Sequence, residues 1–180
     1  MFKYLGNITD LSHHIIENYV ESKGVALDGT LGNGGDCDFL SNHFEKVYAF
    51  DIQKSAIEEY KKKEKSNVSL ILDSHEHIDK YVKEGIDAAI YNLGFLPGGD
   101  KGITTMTNST LKSVESVLNL LNSGGILIIA VYVGHEEGAK EGEALLKYTK
   151  ELPKNKYGVM LHKVINRSEL SPYMLVIEKK

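Results

Sequence analysis

The sequence predicts an α/β fold, a mostly parallel sheet with helices on both faces, and three observations carry that prediction. Short apolar runs alternate with stretches of helical periodicity. A glycine-rich turn follows the first run. Most of the residues with chemical potential fall just past the end of a run, where open parallel sheets hold their ligands.

The elements follow in order. Leu11, Ile15 and Tyr19 recur at four-residue spacing, with Ile16 and Val20 beside them, between a Thr9-Asp10 cap and Gly24; this is an amphipathic helix. Val25-Ala26-Leu27 is the first strand. The turn Asp28-Gly29-Thr30-Leu31-Gly32-Asn33-Gly34 follows, and the next strand, Val47-Tyr48-Ala49-Phe50, closes on Asp51. A helix is expected over 53–60. Val68–Leu72, Ile86–Tyr91 and Ile126–Val133 are expected to be buried strands. Leu111, Val114, Leu118 and Leu121 mark one face of a helix ended by Gly124-Gly125, and another helix, about 138–152, stops at Pro153. The last runs, Tyr157–Ile165 and Tyr173–Glu178, are joined by too short a connection for a parallel crossover, so they form an antiparallel pair. The result is a seven-stranded, mostly parallel sheet with one antiparallel strand.

Composition narrows the class. The 180 residues, 42% hydrophobic and 26% charged, fit a single domain over 1–180, with no linker, repeat or low-complexity tract. No run approaches a membrane span, and the N-terminus has no signal-peptide pattern, so a soluble, cytoplasmic protein is expected. One cysteine, Cys37, excludes an internal disulfide, and the pairs His13-His14 and His75-x-His77 lack zinc spacing, so no metal is assigned. A net charge of −4 argues against bulk electrostatic capture of nucleic acid. The cluster Lys61-Lys62-Lys63-Glu64-Lys65 reads as the solvated end of a helix.

The glycine turn and the acid after the second strand make a nucleoside site, in which glycines admit close backbone approach and Asp51 accepts hydrogen bonds from ribose hydroxyls. The third glycine of the dinucleotide fingerprint is absent, since Cys37 stands in its place. Asp28 and Asp36 would repel a pyrophosphate but suit a ligand bearing an ammonium and a sulfonium, which points to S-adenosyl-L-methionine. Gly29 and Gly34 of the turn, Cys37 lining it, and Ser74 and His75 complete the expected cofactor contacts, with Ser74-His75 placed after the third strand to meet the adenine.

On the acceptor side, Asn92-Leu93-Gly94-Phe95 ends the fourth strand, where methyltransferases of exocyclic amines hold an Asn/Asp-Pro-Pro-aromatic turn that orients the amine lone pair. Leu93-Gly94 replaces the two prolines. Tyr132, His135 and Glu141 follow the fifth strand on the same crevice edge, and His135 or Glu141 is a candidate to take the amine proton.

Together, Asp28…Gly32-Asn33-Gly34-Gly35-Asp36, Phe50-Asp51-Ile52-Gln53, Ser74-His75, Asn92-Leu93-Gly94-Phe95-Leu96-Pro97-Gly98-Gly99-Asp100-Lys101 and Tyr132-x-Gly134-His135…Gly138…Glu141 resemble the YtqB-like rRNA methylase family. Val133 and Cys37 stand where that family usually has proline and threonine. The resemblance implies a Rossmann-like class I methyltransferase that uses S-adenosyl-L-methionine to methylate the aminomethyl group of 5-aminomethyl-(2-thio)uridine at the tRNA wobble position, the MnmM-type activity. It implies cofactor contacts from Asn33, Asp36, Asp51, Gln53, Ser74 and His75, and acceptor contacts from Asn92, Tyr132, His135 and Glu141. The anticodon stem-loop of tRNA is then the partner, and a homodimer would supply a wider RNA surface. Two enzyme alternatives are methylation of another RNA or small-molecule amine and a dinucleotide-dependent oxidoreductase. A catalytically silent cofactor-binding partner is a third.

Overall fold

Successive residues of the central strands face opposite ways, and that alternation sorts the core into two layers. In a computed structural model that describes residues 6–94 and 104–180, the strands are β1 (Val25–Asp28), β2 (Lys46–Asp51), β3 (Val68–Leu72), β4 (Ile86–Leu93), β5 (Leu121–Val131), β6 (Tyr157–His162) and β7 (Tyr173–Lys179). Ala26, Ala49, Ala88, Ile90 and Ile128 pack on one face beneath α1 (Ile8–Tyr19), α2 (Gly35–His43) and α3 (Lys54–Lys61). Leu27, Phe50, Ala89, Tyr91 and Leu127 pack on the other beneath α4 (Ile78–Tyr81), α5 (Thr107–Leu120) and α6 (Glu136–Lys150). Central strands buried on both faces read as continuous apolar runs, which is how they stood out.

The strand order is β3-β2-β1-β4-β5-β7-β6, with β7 antiparallel to both neighbours. The chain leaves β1 toward β3 and returns to β4 on β1's other side, which opens a crevice at the carboxyl ends of β1 and β4. Inserting β7 between β5 and β6 gives the sheet of class I methyltransferases, as expected. Among the described residues, no helix is long and apolar enough to cross a membrane.

Several boundaries differ from expectation. Asn7, not Thr9-Asp10, caps α1, its side chain accepting from the Asp10 N–H at 2.7 Å. Gly124-Gly125 does not end α5. The chain turns into β5 at Leu121, which enters the core, and the glycines lie in a bulge where Leu121 pairs with Ile86 but Ile126 with Ala88. Gly124 has φ +76°, which favours glycine. Asn122, within the bulge, donates to Asp87 Oδ1 at 2.8 Å, and Asp87 Oδ2 accepts from the Gly24 and Val25 N–H groups, tying the bottom of the sheet together. β3 is an edge strand, so Leu72 is exposed rather than buried. Lys62 and Lys63 pair with Glu59 and Asp38, in keeping with a solvated helix end. The segment Phe95-Leu96-Pro97-Gly98-Gly99-Asp100-Lys101 lies outside the described residues.

Candidate active site

A cleft of about 890 Å³ opens at the carboxyl ends of the strands, walled by the glycine turn and by residues that follow β2, β3, β4 and β5. The turn is held from below. Gly29 N donates to Ile90 O, Leu31 N to Phe50 O, and Gly32 N to Asp51 Oδ2, each at 2.9 Å. Asp51 Oδ1 accepts from Gln53 N at 2.8 Å, so each carboxylate oxygen makes one backbone bond and keeps a lone pair for a ligand hydroxyl.

The glycines of this turn are required first by the protein's own aromatics. A Cβ on Gly29 would lie 2.3 Å from the ring of Tyr91, and one on Gly34, at φ +79°, 2.3 Å from the ring of Tyr60. Gly35 has open space at its Cβ position, so the cleft side of the loop is clear.

Asn33, Gly34, Asp36, Gln53, Ser74, His75, Asn92, Tyr132 and His135 all line the cleft, as does Gly29. Asp28, Cys37 and Glu141 do not. Asp28 is fully buried, one oxygen accepting from Thr30 N at 3.0 Å and the other without a partner among the described residues. Burial, with Asp36 and Asp51 nearby, holds its carboxyl well above the usual range, and it stands behind the cleft wall rather than on it. Cys37 is buried in the layer under α1 to α3, and desolvation pushes its thiol up to about 12. It is inert packing.

Glu141 sits inside α6, where its carboxylate accepts from the Thr110 hydroxyl at 2.5 Å and the Thr105 hydroxyl at 2.8 Å. Thr105 Oγ1 also accepts from Gly94 N, and Thr105 N donates to Gly94 O. Glu141 therefore braces the residues just after β4 from behind the cleft wall. His135 is the cap of α6: its Nδ1 accepts from Gly138 N at 3.0 Å, which puts the proton of the neutral ring on Nε2. In that geometry it is a donor, not the proton acceptor anticipated.

Asp36 links α1 to the end of β4. Its Oδ1 lies 2.6 Å from His13 Nε2 and its Oδ2 accepts from Asn92 Nδ2 at 2.5 Å. The Asn92 N–H donates to Thr30 Oγ1 at 2.7 Å, fixing the strand end against the loop. Burial, and then Asp36, raise the Tyr132 phenol above its ordinary range.

Residues 47–178 match the family described as "Putative rRNA methylase". The chain belongs to this methylase family. It is 30% identical, over 96% of its length and 69% of the relative's, to a tRNA (mnm5s2U34)-methyltransferase, chloroplastic, of Arabidopsis thaliana. A methyltransferase from Streptococcus mutans solved in complex with SAH is 39% identical, covering 98% and 99% of the two chains with a TM-score of 0.88. An rRNA-methylase structure from Clostridium thermocellum is 32% identical over 98% and 99%, with a TM-score of 0.92. The protein is an S-adenosylmethionine-dependent methyltransferase.

The methylase's own wall suits that cofactor. Asp51, on the cleft wall, keeps a lone pair on each carboxylate oxygen, Asp36 supplies negative charge beside the loop, and His75 carries a buried Nδ1 with no partner among the described residues. The His75 ring meets Tyr91 edge-on, centroids 5.6 Å apart. Desolvation pushes His75 down to about 4, against an unfolded value near 6.5, so the unfolded chain binds the extra proton between those limits. Stability from this group is complete above about pH 6.5 and is lost as pH falls toward 4, by up to about 1.4 kcal/mol per pH unit. Urea unfolding of the wild type and His75→Gln across that window should show a shallower slope for the variant; parallel slopes would contradict a buried neutral ring.

Sequence reasoning missed His13, Thr30 and Thr105. In the sequence His13 stands out only as half of a pair without metal spacing, although it lies on α1 beside the buried Ser12 and Ile16. Thr30 and Thr105 act through hydroxyls whose partners are 62 and 36 residues away, and no local pattern reports that.

Proposed function

We propose that this methyltransferase methylates the exocyclic amine of 5-aminomethyl-2-thiouridine at the wobble position of tRNA. One observation carries the reading: Asn92, on the cleft wall, has its Nδ2 tied to Asp36 while its Oδ1 remains to accept a hydrogen from an incoming amine. An amide oxygen accepts an N–H and offers nothing to an acceptor-only carboxylate or carbonyl, so it suits a donor group such as an amine. The Arabidopsis relative is named for mnm5s2U34, the N-methylated form of that wobble nucleoside, which supplies the substrate class.

In this reading Asp51 and Gln53 would hold the ribose of the cofactor, Ser74 and His75 its base, and Asn33 and Asp36 its amino-acid end. When bound, S-adenosylmethionine supplies an electrophilic methyl on a sulfonium. The chain's task is alignment: Asn92 Oδ1 takes a hydrogen bond from the neutral amine and so turns the nitrogen lone pair along the line of transfer. Tyr132 and the His135 Nε2–H flank the approach, and the proton lost from the methylated nitrogen leaves to water. The cofactor and acceptor groups line one cleft, so one domain suffices for both.

The test is methyl transfer from labelled S-adenosylmethionine into tRNA purified from cells lacking this modification, followed by nucleoside mass spectrometry. One methyl on the wobble aminomethyl group is expected. Label in another nucleoside, or none with the cofactor bound, would overturn the assignment.

A further inference from the structure

His13 belongs to neither the cofactor loop nor the acceptor turn, yet it reaches both through one carboxylate. Its ring lies flat on Phe39 of α2, centroids 3.9 Å apart and planes within 5°, and its Nε2 stands 2.6 Å from Asp36 Oδ1. A carboxylate can only accept, so Nε2 carries the hydrogen. The carboxyl of Asp36 is nine-tenths buried, and its second oxygen takes the Asn92 amide N–H.

A side-chain amide has two orientations that differ by a half-turn. Here they are not equivalent, because the flipped form would set the Asn92 oxygen against a carboxylate oxygen. Asp36 thus decides which edge of Asn92 faces the cleft, and His13 decides where Asp36 stands. Charge-assisted bonds of this length are the strong class, which makes the chain of three stiff.

We infer that His13 is a positioning residue for methyl transfer: by donating to Asp36 it locks the Asn92 amide in the orientation that offers Oδ1 to the acceptor amine. The inference rests on the proposed substrate reading. Removing the donor leaves Asp36 able to rotate or to recruit water, and the acceptor oxygen is then presented in only part of the population.

The experiment is a double-mutant cycle on the full chain, read as single-turnover methylation of the hypomodified tRNA at saturating S-adenosylmethionine, with urea midpoints taken on the same samples. His13→Ala should slow transfer about tenfold. His13→Gln, whose amide N–H has comparable reach, should recover most of the rate. In an Asn92→Ala background, His13→Ala should cost nothing further, because its route to the reaction is gone. A structural role alone would produce neither the glutamine rescue nor the loss of effect in that background.

The inference fails if His13→Ala transfers at the wild-type rate, if His13→Gln is as slow as His13→Ala, or if His13→Ala costs the same factor with and without Asn92. A wild type that binds cofactor but leaves this tRNA unmethylated overturns the substrate reading and the inference together. An active wild type with an equally active His13→Ala overturns the inference alone.

Discussion

Asn92→Ala is expected to slow methyl transfer by about 100- to 1,000-fold at saturating cofactor, the loss typical of removing a placed dipole at a reacting centre. The fold should survive, because the backbone of residue 92 remains paired to β5 and its N–H still donates to Thr30 Oγ1. Cofactor affinity should fall far less than the rate, since Asp51, Gln53, Ser74 and His75 are untouched and only Asp36 loses one partner. Asn92→Asp is expected to be nearly as damaging. It restores an acceptor but sets a second carboxylate against Asp36 Oδ2, and two such groups in contact must share a proton. Single-turnover rates with labelled cofactor, beside calorimetric cofactor binding, decide the matter. A rate for Asn92→Ala within about fivefold of wild type would remove Asn92 from the reacting centre.

Gly34→Ala should destabilise the protein by about 2–5 kcal/mol, from two additive causes. A side chain at φ +79° costs about 1–2 kcal/mol in backbone sterics. Forcing a methyl to within 2.3 Å of the Tyr60 ring adds about 1–3 kcal/mol of overpacking. Tyr60 cannot swing away easily: it is buried and its hydroxyl donates to Asp38 Oδ1 at 3.0 Å. Gly35→Ala is the contrasting case. Nothing lies near its Cβ position, its φ is not positive, and it begins α2, so the change should be neutral or stabilising by up to about 1 kcal/mol. Urea unfolding of the two variants compares neighbouring glycines directly, and equal effects would disprove the argument.

The layered sheet was legible because central strands advertise themselves as apolar runs, and the crevice followed from their order. Depth within the crevice was not legible, because it depends on register. Asp28 pairs with Ala49 on β2 and Ile90 on β4, so it ends two residues short of Asp51 and Asn92, about 7 Å deeper along the strands. All three acids and amides stand at a strand end in the sequence, yet only two reach the cleft. Glu141 shows the same limit for a helix: its spacing with Leu145 announced a shared face but not that the face is the buried one, where two threonine hydroxyls await it. His13 illustrates the converse, a residue made relevant only when α1 folds back over α2.

The place of β7 bears on the order in which the molecule can assemble. Its pairs with β6 join residues 12 to 22 apart in the chain, whereas its pairs with β5 join residues 42 to 52 apart. Closing the shorter loops is entropically easier, so the chain favours pairing β7 with β6 before docking it on β5. Until it docks, the outer edge of β5 is an open row of backbone donors and acceptors flanked by Ile126, Ile128 and Ile129, a template for pairing with another unfinished chain. Completing the sheet and protecting the nascent protein from its own copies are thus a single event.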